Sequence, residues 1–173
     1  MLILYIIISI VALIFLAALI MPKTHYVKRG IVIRAPRQKV FDFIRFLQNQ
    51  ESFNTNAMED ANREKTFKGT DGNVGYIYAW KGNKDAGEGE KEIKNIIDGK
   101  SVEMEIRFVK PMKATARIVM DTETIGENET KLSWSNTGTL PVPINLFIPK
   151  MKKHVAKDMD QSLATLKAML EKI

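Results

Sequence analysis

Val155, Met159, Leu163, Leu166, Leu170 and Ile173 recur four, four, three, four and three residues apart. At about 100° per residue they fall in one stripe, the mark of a long helix that buries a single face. Pro149 cannot sit inside such a helix, so its start is expected just beyond that residue. A one-faced helix needs a surface to lie on. The stretch before it reads as short alternating strands, which form an antiparallel sheet with one apolar face. Helix and sheet therefore predict each other.

The strands follow from alternation and turn residues. Val27 to Arg34 alternates through Val27, Ile31 and Ile33, and Ala35-Pro36 ends it. Pro36 suits a first helical turn, and Val40, Phe41, Ile44 and Leu47 give that helix its apolar face. A short second helical piece is expected around Asn54 to Ala61. Strands follow at Glu64 to Lys68, Gly75 to Lys81 and Gly87 to Ile97, separated by Thr70-Asp71-Gly72-Asn73 and Gly82-Asn83-Lys84-Asp85. Val102, Met104, Ile106 and Phe108 alternate with Glu103, Glu105 and Arg107. After Lys110-Pro111 the pattern resumes through Ala114, Ala116, Ile118 and Met120, and a last strand covers Lys131 to Thr137. The expected fold class is α+β: a curved antiparallel sheet of six to seven strands wrapped around the C-terminal helix.

Met1 to Met21 contains no charged residue, and only Tyr5 and Ser9 interrupt it. A helix of that length spans about 30 Å, the hydrocarbon thickness of a bilayer. A cleaved signal peptide would want a basic n-region, a shorter apolar run and a small-x-small site, none of which is evident here. The expected organisation is a transmembrane anchor over 1–22, a linker over 23–26 and a folded domain over 27–173. Lys23, Lys28 and Arg29 flank the anchor, and the positive-inside rule then puts the domain in the cytoplasm of a single-pass membrane protein. The sequon Asn128-Glu129-Thr130 reads as a turn between strands.

Composition removes several function classes. The net charge of +6 is mild and interleaved, unlike a nucleic-acid stripe, so no nucleic-acid partner is expected. There is no cysteine, which excludes disulfides and thiolate chemistry. His25 and His154 are the only histidines, too few and too far apart for a metal cluster, and no cofactor motif is present. Gly87-Glu88-Gly89 lacks the third glycine and the following helix of a dinucleotide loop.

Taken in order, Ile33-Arg34-Ala35-Pro36 with Val40-Phe41, then Trp80-Lys81-Gly82-Asn83, Gly87-Glu88-Gly89, Lys110-Pro111 and Leu132-Ser133-Trp134 resemble the polyketide cyclase/dehydrase branch of the START-like (SRPBCC) superfamily. The final helix with Leu163 and Leu166 fits as well, and the resemblance covers residues 27 to 173. It implies a helix-grip fold with a cavity between sheet and last helix for a hydrophobic or amphipathic small molecule, a lipid among the possibilities. Alternation nominates Tyr76, Tyr78, Trp80, Met104, Ile106, Phe108, Trp134 and Met159 as its walls, and equally as ordinary core.

Lys91 shares the inward phase of Gly87, Gly89 and Ile93. The commoner explanations of such a lysine are a bulge that shifts the phase or an amine that snorkels to the rim. The other is a buried ammonium that holds a carboxylate-bearing guest. His154 and Asp158 lie four apart, but His154 points about 140° from the apolar stripe, toward solvent. Glu88, Glu90 and Glu92 read as a solvated strand face. Leu140 to Ile148 is apolar and proline-broken, either a lid or a segment packed on the sheet edge. Lys150, Lys152, Lys153 and Lys157 sit at a helix N-terminus, where cations are unfavourable, which suggests an acidic-lipid surface as their partner.

Three function classes follow. The first is a membrane-anchored binding domain, leaning away from enzymatic activity. The second is a cyclase- or dehydratase-like enzyme, for which Lys91, Tyr76 and Tyr78 are the interior titratable candidates. The third is an envelope or stress interaction protein whose cavity is structural.

Overall fold

The computed structural model describes residues 1–55, 60, 62–84 and 86–172. The alternating segments pair into one seven-stranded antiparallel sheet: β1 (Thr24–Ile33), β2 (Glu64–Lys68), β3 (Ile77–Lys81), β4 (Glu88–Ile97), β5 (Ser101–Lys110), β6 (Ala114–Gly126) and β7 (Glu129–Thr139). Their order is β1-β7-β6-β5-β4-β3-β2, so every neighbour but the β1–β7 pair is adjacent in sequence. Helix α1 (Leu2–Ile20) precedes the sheet, α2 (Arg37–Ile44) and α3 (Leu47–Gln50) follow β1, and α4 (Ile148–Leu170) closes the chain.

The stripe on α4 does what its spacing demands. Met159, Leu163, Leu166 and Leu170 are buried against Met104, Met120, Leu132 and Trp134 of the sheet and Phe41 of α2 within one core. Each fully buried leucine contributes roughly 2 kcal/mol of transfer free energy. Ile173 lies outside the described residues. The helix begins at Ile148 rather than beyond Pro149, because proline is tolerated in a first turn whose N–H groups have no helical acceptor. Polar ties fix it lengthwise along β1: Arg29 pairs with Asp160 at 3.1 Å, and Lys167 Nζ donates to Val32 O at 2.8 Å. The N-terminus of α4 and the start of β1 are therefore at the same end of the sheet.

Two expected boundaries move. β1 starts at Thr24, with Thr24 opposite Thr139 and His25 opposite Gly138, so the stretch expected as a linker over 23–26 is mostly strand. The helical piece expected over Asn54 to Ala61 lies outside the described residues at 56–59 and 61.

The ladder defines levels across the sheet. One row runs Thr24, Thr139, Thr115, Arg107, Glu90, Ala79 and Thr66. The next row toward the α1 end carries Trp80, Gly89, Phe108 and Ala114, and one row the other way carries Tyr78, Lys91, Ile106, Ala116, Gly138 and His25. These last two rows share the inner face, since side chains alternate with period two.

On the outer face the acidic row is neutralised. Arg107 bonds Glu90 at 2.6 Å, Glu92 at 2.8 Å and Glu105, and Lys110 meets Glu88 at 3.0 Å. His154 is exposed and reaches Asp158 Oδ2 at 3.3 Å from the solvent side of α4. Helix α1 is apolar and exposed along its length apart from Ala18. It is long and apolar enough to cross a membrane.

Candidate functional site

Lys91 settles the ambiguity of its strand. The register irregularities in β4 fall between Glu88 and Gly89 and between Ile93 and Asn95. The pairing from Gly89 to Ile93 is unbroken, so the inward phase survives through Lys91 and the amine is buried at 7% exposure. Neither a phase-shifting bulge nor snorkelling accounts for it. Its Nζ donates to Gln50 Oε1 at 3.0 Å. Gln50 is held for that role: its Nε2 donates to Ile44 O at 2.9 Å and to Met104 Sδ at 3.3 Å, which leaves the amide oxygen toward Lys91. An ammonium has three N–H donors, and Gln50 is the single acceptor among the described residues. Burial pushes the amine down to about 8, the Arg63 charge pushes the same way, and Glu51 pulls back.

Arg63, just before β2, is the second cation. Its guanidinium lies 5.5 Å from the Tyr78 ring centroid and 5.9 Å from that of Trp80. Its Nη2 donates to the Tyr78 hydroxyl at 2.6 Å and to Glu51, while its buried Nε has no acceptor among the described residues. Glu51 also accepts from Lys65 and from the Tyr78 hydroxyl. Partial burial works against the Glu51 carboxylate, but the hydrogen bonds from Lys65, Tyr78 and Arg63 outweigh it and hold its pKa below 4.5. The Tyr78 phenol is pushed well above its ordinary value by burial and by its bond to Glu51, with Arg63 opposing. Two cationic side chains thus bond one carboxylate, whose charge Lys91 also feels.

The walls are aromatic. Trp80 lies 6.1 Å from Tyr78 in a near-parallel stack and 6.1 Å from Phe108, edge to face at 84°. Its indole Nε1 donates to Ala86 O at 3.0 Å, which locks the ring. Gly89, directly opposite Trp80, makes the arrangement possible, because a Cβ there would stand 2.9 Å from the indole and 2.7 Å from Arg107 O. Asn54, Arg63, Tyr78, Trp80, Lys91, Ile106 and Phe108 enclose a cavity of about 90 Å³. That is room for about three waters or one carboxylate group, at roughly 30 Å³ per water. Phe108 is 38% exposed and marks the mouth.

Of the nine residues nominated from sequence, Tyr78, Trp80, Lys91, Ile106 and Phe108 therefore meet at one cavity. Tyr76, Met104, Trp134 and Met159 are not among its lining residues and are packed in the core. Tyr76 accepts from Gln48 at 3.0 Å, and the Trp134 indole N–H is buried without an acceptor among the described residues. Gln50, Glu51 and Arg63 carry no such signal in the sequence. They come from the stretch between α2 and β2, Gln50 ending the single-turn α3 and the other two lying in irregular chain, where no periodicity marks a facing side chain. The segment reaches the site because Thr55 N donates to Ser162 Oγ at 3.0 Å, which pins it to α4.

Larger grooves lie outside this cavity. One of about 590 Å³ runs between the β3–β4 turn and Lys110-Pro111. Another, of about 470 Å³, lies between Met21, Pro22 and Thr24 and the start of α4 at Ile148, Pro149, Lys152 and Lys153. Leu140 to Ile148 is no part of the cavity wall. It forms a short 3₁₀ turn over Ile144–Phe147 beside the end of α1, where the Asn145 amide donates to Ala18 O and Met21 O.

No family model matches the chain. No curated protein matches it either. Solved structures do. Ara h 8.0201 superposes with a TM-score of 0.63 at 13% identity, over 87% of this chain and 99% of that one. Norcoclaurine synthase from Thalictrum flavum, in complex with dopamine and hydroxybenzaldehyde, has a TM-score of 0.63 at 12% identity, over 86% and 87%. Aha1 from Colwellia psychrerythraea, a dimer, has a TM-score of 0.58 at 18% identity, over 85% and 96%. At such identities the likeness is one of architecture. The chain has the helix-grip fold, a curved seven-stranded antiparallel sheet closed over a long C-terminal helix.

Proposed function

We propose that this chain is a membrane-anchored binding domain for a small amphipathic molecule with an anionic end. The observation that carries the reading is Lys91, a buried ammonium with one neutral acceptor at the floor of an aromatic-walled cavity. Burying a charge unpaired is costly, and a carboxylate or similar group would accept the remaining N–H donors and relieve that cost. Arg63, with a buried Nε free of acceptors among the described residues, adds a second donor. The 90 Å³ cavity holds the anionic end, and the apolar body rests at the mouth against Trp80 and Phe108. A lipid-like tail can extend outward from there. The norcoclaurine synthase complex supports the idea that this architecture can hold small polar aromatic molecules.

Anchoring is part of the same reading. α1 is exposed rather than packed in a core, and Asn145 grips its last turn, which supports a retained span over a removed signal. Lys23, Lys28 and Arg29 favour the cytoplasmic side for the domain.

One observation favours a second reading. An amine held near a pKa of 8 is matched to proton transfer around neutral pH, so Lys91 could serve a cyclase- or dehydratase-like enzyme as general base. Native mass spectrometry of the full chain in a nonionic detergent, with extraction of whatever travels with it, separates the outcomes. An anionic amphiphile bound to the unaltered chain and lost from Lys91→Met supports the binder. An occupant retained by Lys91→Met, or none after incubation with dodecanoate, contradicts it.

A further inference from the structure

The joint between α1 and the sheet leaves little freedom. α1 ends at Ile20, and β1 is already paired at Thr24. Across the gap the Asn145 Nδ2 donates to Ala18 O at 2.7 Å and Met21 O at 3.2 Å, and Leu140 N donates to Lys23 O at 2.8 Å. With α1 across a bilayer, whatever stands beside Met21 to Thr24 stands in the head-group layer. What stands there is the groove with Lys152 and Lys153, next to Phe147, an aromatic side chain 63% exposed.

Charge and topology point the same way. Lys23, Lys113, Lys150, Lys152 and Lys153 are exposed at this end of the sheet, with no ion partner among the described residues. Of the described acids there, Glu88 is paired with Lys110, Asp60 accepts from Asn83 N at 2.9 Å, and Glu64, opposite Lys81, is exposed, so bases outnumber acids at this end. The opposite end mixes its bases with exposed Asp98, Glu127 and Glu129. The cavity mouth belongs to the basic end, because Trp80 and Phe108 lie in the last inward-facing ladder row at the anchor end.

We propose that the anchor end of the domain docks on an acidic bilayer surface, with Phe147 at the head-group boundary and Lys150, Lys152 and Lys153 on lipid phosphates, so that the cavity mouth is held at the interface. The proposal rests on the anchored-binder reading above and names where its guest enters. Lysines near an anionic leaflet each favour the docked state, and salt screens them.

The chain has no cysteine, so single cysteines take a fluorescent label cleanly. The full chain goes into nanodiscs of phosphatidylcholine, alone or mixed with phosphatidylglycerol, that carry a head-group nitroxide quencher. Labels sit at Phe147→Cys, at Lys113→Cys in the turn before β6, and at Glu127→Cys in the opposite turn. In acidic nanodiscs the labels at positions 147 and 113 are quenched, and the one at 127 is spared. High salt, or joint Lys150→Glu, Lys152→Glu and Lys153→Glu substitution, lowers the docked-to-undocked ratio by more than about tenfold at position 113. The salt arm needs no substitution, so misfolding of the triple variant leaves the test intact. Equal quenching at 113 and 127, or quenching indifferent to lipid charge, overturns the proposal. Failure of the full chain to enter nanodiscs overturns the anchored reading and the docking together. Ligand retention through Lys91 in detergent is read separately and distinguishes the two.

Discussion

Lys91 Nζ and Gln50 Oε1 stand 3.0 Å apart, and that contact is the ammonium's one hydrogen bond among the described residues. Everything else about the site follows from how poorly one neutral acceptor compensates a buried charge.

The first consequence is a stability deficit. The folded pKa of Lys91 is about 8 against an unfolded value near 10.5, so between those pH values the unfolded chain binds more protons. Stability from this group therefore rises with pH from about 8 to 10.5, and the full penalty, on the order of 3 kcal/mol, is present at pH 7. Lys91→Met, which keeps most of the stem volume, is expected to stabilise the domain by roughly 1–3 kcal/mol at pH 7. The gain should vanish by about pH 10.5. Urea denaturation of both chains across that range reads it. A destabilised Lys91→Met variant, or a gain independent of pH, contradicts the assignment.

Binding of an anionic guest carries the opposite signature. A bound carboxylate favours the charged amine, so affinity should fall about tenfold per pH unit once the pH exceeds the free value near 8. Calorimetric titration of dodecanoate at pH 7 and pH 9 measures the difference. Equal affinity at both would mean the guest does not touch Lys91.

Glu51 holds the other cations together. Glu51→Gln leaves Arg63, which is nearly buried, without its carboxylate, and should cost roughly 1–3 kcal/mol. Because Glu51 is the charge that supports protonation of Lys91, the same substitution should move the Lys91 pKa further below about 8. The paired readouts, denaturation and amine titration, should change together.

Gly89 is a steric requirement of the cavity wall. Gly89→Ala puts a methyl group 2.9 Å from the Trp80 ring and 2.7 Å from Arg107 O. A loss of roughly 1–3 kcal/mol and a shift in Trp80 emission are expected. Trp134→Phe as background leaves Trp80 the only emitter, since the chain has two tryptophans.

Asn145 ties the anchor to the domain. Asn145→Ala removes both bonds, to Ala18 O in the last turn of α1 and to Met21 O just beyond it, at a fully buried position, and should cost about 1–2 kcal/mol. The effect should appear in the full chain as greater mobility of a label at position 147, by electron paramagnetic resonance.

Much of the architecture is legible in the residue pattern alone. Strict alternation puts Tyr78, Lys91 and Ile106 on one face, and the four-and-three spacing gives α4 its buried stripe, because side-chain direction is set by backbone period. Period does not give depth. Tyr76, Met104 and Trp134 share the inner face with the cavity residues and Met159 meets them from α4, yet they pack together as core rather than surround a void. The start of β1 is hidden because Thr24-His25-Tyr26 has a polar pattern, although His25 is buried and bonded to Asn136 at 2.9 Å. Gln50, Glu51 and Arg63 are illegible for a different reason. Their partners lie in distant strands, and only the closed fold makes a neutral amide, a carboxylate and a guanidinium converge on one lysine.

The most direct test is an NMR titration of the Lys91 side-chain amine in the full chain, in nonionic micelles, with and without dodecanoate. The account predicts an amine that titrates near pH 8 alone and moves upward when the carboxylate binds. An amine that titrates near 10.5 alone, or one that dodecanoate binds without moving, would contradict it.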